Sequence, residues 1–233
     1  MMFTEASLLD VWETAHGLSA VRRALVLAVA GGAEPAAAGD LAVGQRDEFL
    51  LALRERCFGT AFPCLVNCPS CGEELELELA SRDLRPSRVD SPAMIAVDGY
   101  EVEFRPVTSR DLLEVHSRRA LLERCVVAAR SGGQDVDRSE LPDAVLAALP
   151  DALAACDPQA DVRIDLDCAV CGHRWASPFD IAVYLWTELE ACARRLLYDV
   201  HALALAYGWS EAEVLAVSPG RRRRYLELAG TTA

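Results

Sequence analysis

Two similar cysteine knuckles far apart in sequence constrain the fold of this chain more than any other feature: Cys68-Pro69-Ser70-Cys71-Gly72 and Cys168-Ala169-Val170-Cys171-Gly172. Two residues between thiolates let one tight turn offer both sulfurs to a single ion, and the glycine that follows supplies the permissive backbone such a turn favours. Together the knuckles make a tetrahedral set of four ligands, Cys68, Cys71, Cys168 and Cys171, for one structural zinc ion per chain. All-thiolate zinc sites keep no open position for water or substrate, so the expected metal organises structure and performs no catalysis. The 96 residues between Cys71 and Cys168 exceed the spacing of a compact ribbon. The intervening segment then reads as an insertion stapled at its base.

The competing readings of the knuckles are two disulfides, a thioredoxin-like redox pair, or unrelated surface cysteines. Nine cysteines are an odd number, and Cys57, Cys125, Cys156 and Cys192 sit singly in helical patterns, where a free thiol behaves as a small hydrophobe. That usage fits a reducing cytoplasm and argues against disulfides. Neither knuckle opens a helix after a strand in a βαβ pattern, which argues against a redox pair. His173 and Cys64 are the alternative ligands, less favoured because four thiolates are already available.

Charge removes several function classes. The net charge is −13, and all 23 basic residues are arginine. Without lysine there is no P-loop lysine, Schiff base or lysine general base. An acidic surface repels phosphate, and the one dense basic run, Arg221-Arg222-Arg223-Arg224, is short, so nucleic acid is disfavoured as a partner. That run is either a docking surface for an acidic partner or a helix face whose arginines are solvated or paired. No HExxH, GxSxG or phosphate-binding glycine loop is present, and the four histidines (His16, His116, His173, His201) are scattered. The chain reads as a non-enzyme with no small-molecule substrate.

With 52% apolar residues and few aromatics, the composition is that of a mainly helical globular protein. Ser7 to Ala30 carries apolar residues at helical spacing, with Gly17 as a break and Gly31-Gly32 as a stop. Val21 to Asp40 imitates a signal peptide, but the acidic residues before it and its short apolar run favour a buried helix and no membrane span. A helix is expected over Val43 to Phe58, with Phe49, Leu50, Leu53 and Cys57 on one face. Glu73 to Leu79 alternates as a strand, and Met94 to Val97 pairs with Glu101 to Val107 through an Asp98-Gly99 turn. Ser109 to Arg130 and Ser139 to Cys156 read as helices around a polar loop, Ser131 to Asp137. Val162 to Asp167 alternates into the second knuckle, and the longest helix runs from about Phe179 to Ala206, ended by Gly208. Ser210 with Glu213 caps a further helix, and Ser218-Pro219-Gly220 separates it from a last one, Arg221 to Leu228.

The expected fold class is α+β, mostly helical: a split four-cysteine zinc-ribbon-like β unit flanked by N- and C-terminal helices, with a β-hairpin and two-helix insertion between the knuckles. The expected regions are 1–60 (N-terminal helical), 61–107 with 160–178 (split β unit), 108–159 (helical insertion) and 179–233 (C-terminal helical).

The region from Cys168 to Leu228 resembles small baseplate and tail-assembly proteins of contractile-tailed phages and phage-derived contractile injection systems. It holds the CxxCG knuckle with His173 and Trp175, then the long helix, then "YGWSEAEVLAVSPGRRRRYLELAG". Its last part is also similar to the C-terminal part of phage tail-assembly chaperones. Trp12 with Glu13, "GQRDEFLLALRERCFG" and "CPSCGEELELEL" fit the same group less specifically, and Pro106 to Asp161 is unassigned. The resemblance, spread over about half the chain, implies a structural or chaperone-like assembly protein, of the baseplate hub assembly kind. It would be cytoplasmic or incorporated into a phage-tail-like particle, with other baseplate and hub proteins as partners. It further implies a contact surface with Trp209, Tyr225 and Leu226 as apolar anchors beside Arg221, Arg222, Arg223 and Arg224. The rivals from other classes are a nucleic-acid-binding zinc ribbon and a metalloenzyme.

Overall fold

The computed structural model describes residues 3–86 and 93–230; residues 1–2, 87–92 and 231–233, which fall within the expected N-terminal, split β and C-terminal regions, lie outside the described residues. It is α+β and mostly helical, with small antiparallel sheets. In chain order come α1 (Glu5–Ala15), α2 (Ala20–Gly31), α3 (Val43–Phe58), β1 (Ala61–Asn67), β2 (Glu74–Ala80), β3 (Met94–Val97) and β4 (Tyr100–Phe104). Then follow α4 (Ser109–Glu114), α5 (Arg118–Cys125), β5 (Val126–Ser131), β6 (Gln134–Asp135), α6 (Asp143–Cys156), β7 (Arg163–Asp167) and β8 (Arg174–Pro178). The chain continues through α7 (Ile181–Tyr207), α8 (Glu211–Ala216) and α9 (Pro219–Leu228). By contact density it divides into two compact units, Met1–Leu18 with Val183–Ala233, and Ser19–Ala182. Among the described residues no helix is long and apolar enough to cross a membrane.

The larger unit holds three separate antiparallel sheets: β1-β2, β3-β4-β5-β6 and β7-β8. The four-stranded sheet has its own core. Val102 and Phe104 of β4, Val126 and Ala129 of β5 and Leu122 of α5 meet Val145, Leu146 and Leu149 of α6, with Leu141 beneath. Two of its turns are the two-residue kind in which both central residues have positive φ, matching the twist of paired strands. They are Asp98-Gly99 (φ 50° and 79°) and Gly132-Gly133 (φ 59° and 81°). The expected helix from Ser109 to Arg130 is therefore three elements. Thr108 caps α4 in a reciprocal capping box with Asp111, the chain extends at Val115, and Ser117 caps α5 through the Ala120 N–H. The β-branched pair Val126-Val127 then leaves the helix, Val126 pairing with Phe104 of β4 and Val127 standing at a bulge in the ladder. The expected polar loop after it is the β5–β6 hairpin.

Asp111 is the electrostatic hub of this segment. Its carboxylate is 1% exposed and accepts from Arg105 (2.6 and 2.8 Å), from Arg124 (3.0 Å), and from both the N–H and the hydroxyl of Thr108. Burial alone would raise its pKa, but those donors outweigh burial and hold the carboxyl well below the usual carboxylate range. Arg54 plays a comparable part at the end of α3. It is fully buried, donates to the carbonyls of Gly59 (2.6 Å) and Ala61, and lies 3.9 Å over the Phe62 ring. A buried guanidinium thus closes the helix and starts β1.

In the smaller unit, Ala202, Leu203, Val214 and Leu226 form a core cluster against which Trp209 and Tyr225 pack. Ser210 and Glu213 make the expected capping box of α8. Arg222 is 3% exposed and forms a two-pronged pair with Glu5 (2.7 Å at both oxygens) and a bond to Asp199 at 2.9 Å.

Asp111→Asn is expected to cost about 2 kcal/mol at neutral pH, the scale of lost charge-assisted hydrogen bonds when the arginine partners remain partly solvated. A folded-state pKa below the unfolded one gives stability that is complete above the unfolded value of about 4 and lost as pH falls through the folded value. Urea unfolding should therefore show the wild-type advantage shrinking below pH 4; an advantage independent of pH would refute the charge assignment.

Candidate metal centre

Each knuckle is the turn of a hairpin, and both hairpins close in the same way. In the first, the Cys68 N–H donates to the Glu73 carbonyl (2.8 Å) and the Gly72 N–H to the Cys68 carbonyl (2.9 Å). In the second, the Cys168 N–H donates to the His173 carbonyl (2.9 Å) and the Gly172 N–H to the Cys168 carbonyl (2.8 Å). Gly72 and Gly172 sit at φ +78° and +70°, a left-handed conformation that a Cβ would strain. The strands below alternate as their sequences require. Glu74, Glu76 and Glu78 face outward while Leu75, Leu77 and Leu79 are half-buried, and Ile164, Leu166 and Trp175 turn inward from β7 and β8.

At the tips the four expected ligands converge. The sulfurs of Cys68, Cys71, Cys168 and Cys171 all lie within 4.8 Å of one another. Across the hairpins, Cys68 Sγ is 3.7 Å from Cys171 Sγ, and Cys71 Sγ is 3.6 Å from Cys168 Sγ. A tetrahedral ion with metal–sulfur bonds of about 2.3 Å sets sulfur–sulfur edges at about 3.8 Å. The quartet therefore has the dimensions of a tetrahedral thiolate site, and the four cysteines lie close enough to hold a metal ion. Cys68 and Cys168 are buried, whereas Cys71 and Cys171 are exposed, so one sulfur of each knuckle faces inward and one outward.

The charge state of the quartet points the same way. Burial pushes the Cys68 thiol up, but the N–H groups of Cys71 and Ser70, with the Cys71 and Cys171 thiols, outweigh it and leave Cys68 at about 7. The Glu73 N–H pulls Cys71 down, yet the facing sulfurs of Cys171, Cys168 and Cys68 push it up to about 12. Thiolates at such distances repel one another, and a cation between them offsets that repulsion. A divalent ion would release the remaining protons and turn mutual repulsion into ligation.

Elsewhere the hairpins are joined at their bases. Phe62, near the start of β1, meets Phe179, which follows β8, edge to face with ring centres 6.1 Å apart. The Gln159 amide donates to the Leu84 carbonyl at 3.1 Å. The strands of one hairpin do not pair with those of the other. Neither alternative ligand joins the quartet: Cys64 Sγ contacts the Phe62 carbonyl, and the His173 ring stacks on Trp175. The other histidines, His16, His116 and His201, lie on the surface, with the His16 ring 4.9 Å from that of Trp12.

The C-terminal residues expected to contact partners are split by the fold. Arg222 is buried in its pairs with Glu5 and Asp199, and Leu226 is buried in the core of the smaller unit. Trp209 and Tyr225 are half-buried and pack on each other and on Tyr207. Arg221, Arg223 and Arg224 point to solvent. Periodicity within α9 alone could have separated Arg222 from its neighbours, but only the tertiary pairing with Glu5 explains why an arginine occupies a buried position.

One protein-family model matches most of the larger unit. The model described as T4 bacteriophage base plate protein matches residues 28–182. The chain belongs to that family. The base plate match takes in both knuckles and everything between them, including the segment from Pro106 to Asp161 that the resemblance left unassigned. It stops before α8 and α9, whose wording most suggested the family. Neither the curated proteins nor the solved structures contain a match.

Titration with Co2+ is expected to give the intense visible bands of a tetrahedral thiolate complex, saturating at one ion per chain. Because loss of a mere supporting group costs 10–100-fold in affinity, Cys171→Ser should weaken binding by more than about 100-fold. Cys64→Ser should leave it unchanged; equal effects of the two substitutions would mean that the ligand set is misassigned.

Proposed function

We propose that this chain is a non-enzymatic structural or assembly protein of a contractile-tail base plate, acting through protein contacts and held in shape by one structural zinc ion. The observation that carries the base plate role is the family match across two thirds of the chain, residues 28–182. The zinc reading is supported by the all-sulfur donor set and its edges of 3.6 and 3.7 Å, which suit a closed tetrahedral ion with no position left for substrate. Cys68, Cys71, Cys168 and Cys171 are its ligands.

The partners are other base plate and hub proteins, met during assembly or in the finished particle. On the C-terminal helices, the exposed Arg221, Arg223 and Arg224 supply the charged part of the contact surface, with half-buried Trp209 and Tyr225 beside them. Arg222 and Leu226 support that surface from within. Aromatic and arginine side chains dominate the energetics of such contacts.

Deleting the gene and purifying tails tests the role directly. Loss of complete tails, restored by the wild-type chain and not by a Cys68→Ser/Cys168→Ser variant, is the expected result. Normal tails in the absence of the chain would reject it. Probing mature tails and assembly intermediates for the protein then separates a permanent component from one that leaves.

A further inference from the structure

The outward face of the β1-β2 hairpin is acidic with an apolar spot and no counter-charge of its own. Glu74, Glu76 and Glu78 project from β2 at two-residue spacing, roughly 7 Å apart. They are exposed, and among the described residues none forms an ion pair. Across the hairpin on the same face stand Pro63, Leu65 and Asn67, in register with Glu78, Glu76 and Glu74, and Leu65 is 64% exposed. Elsewhere arginines neutralise surface carboxylates of this chain, as Arg110 does Asp40 and Arg130 does Asp135. On this face they do not.

A complementary face lies on α9. Arg221, Arg224 and Leu228 follow the i, i+3, i+7 spacing of one helical face, and all three are exposed, Leu228 by 78%. Arg221 has no ion-pair partner among the described residues, and Arg224 reaches only Glu227, at 3.8 Å. The helix advances about 10 Å from Arg221 to Leu228, within the roughly 14 Å from Glu74 to Glu78.

We propose that the acidic face of the first hairpin in one copy binds the arginine face of α9 in a second copy, with Leu228 covering Leu65. The two surfaces differ, so the contact is head to tail and repeats, closing into a ring or running on as a filament according to its rotation. Charge complementarity favours a second copy as occupant: the chain carries both halves, and among the described residues Glu74, Glu76, Glu78 and Arg221 form no ion pair. In about 150 mM salt, with a screening length of about 8 Å, repulsion between two chains of charge −13 is damped while contacting ion pairs persist. The inference rests on the reading of α9 as a contact surface.

Sedimentation velocity with a charge swap tests it. Wild type should associate with rising concentration, and both Glu74→Arg/Glu76→Arg/Glu78→Arg and Arg221→Glu/Arg223→Glu/Arg224→Glu should stay monomeric alone. Their equimolar mixture should associate again, since each restores the face the other has lost, and this also shows that both variants are folded. A wild type that stays monomeric at its highest soluble concentration, or a mixture that does not associate, overturns the proposal. If it is overturned while the arginine variant still fails to support tail assembly, the base plate reading stands and α9 serves another partner. If self-association holds while tails form without the chain, the base plate reading alone is lost.

Discussion

Convergence of four sulfurs at the tips of two hairpins is the constraint on which the larger unit depends. The knuckles are 96 residues apart, and the strands that carry them belong to separate sheets, so backbone hydrogen bonding does not hold the tips together. Without an ion, four sulfurs are crowded within 4.8 Å of one another with no bond to hold them there. Bound to a divalent ion, they become a cross-link. One that closes a loop of this length removes about 5 kcal/mol of unfolded-chain entropy in the simplest chain model, comparable to the whole stability of a marginal domain.

Elsewhere in the unit, packing and ion pairs hold the fold without such a cross-link. At the hairpin bases, the Arg54–Phe62 stack and the Phe62–Phe179 pair already fasten the two strand pairs. Between the knuckles, the four-stranded sheet and α6 bury a core of their own, tied to its helices by the Asp111 network. In the smaller unit, Arg222 between Glu5 and Asp199 joins α9, α7 and α1 without any metal. The tips are the part that packing leaves to the sulfurs.

Much of this was legible in the sequence because it was written in local chemistry. The CxxCG knuckles, the alternation of β2 and β7, the Asp98-Gly99 turn, the bounds of α3 and the Ser210-Glu213 box each follow from a few neighbouring residues. What the sequence hid was non-local. Helical spacing across Ser109 to Arg130 concealed two caps and a strand, since Val126 and Val127 suit either element until β4 lies beside them. Arg222 was equally hidden, because Glu5, which fixes it, is 217 residues away; Arg54 satisfies carbonyls only five and seven residues on, but helical spacing alone does not announce that closure. The resemblance to base plate proteins was correct, although the matched region lies largely outside the C-terminal segment that suggested it.

With an ion bound, the four sulfurs gathered at the hairpin tips would hold the surfaces of this base plate protein in fixed register. X-ray absorption at the zinc edge, on protein purified without chelators, tests this most directly. The account predicts one zinc per chain with four sulfur neighbours at about 2.3 Å. A shell containing nitrogen or oxygen, or a metal-free chain whose hairpins are as stable as those of the metal-loaded one, would contradict it.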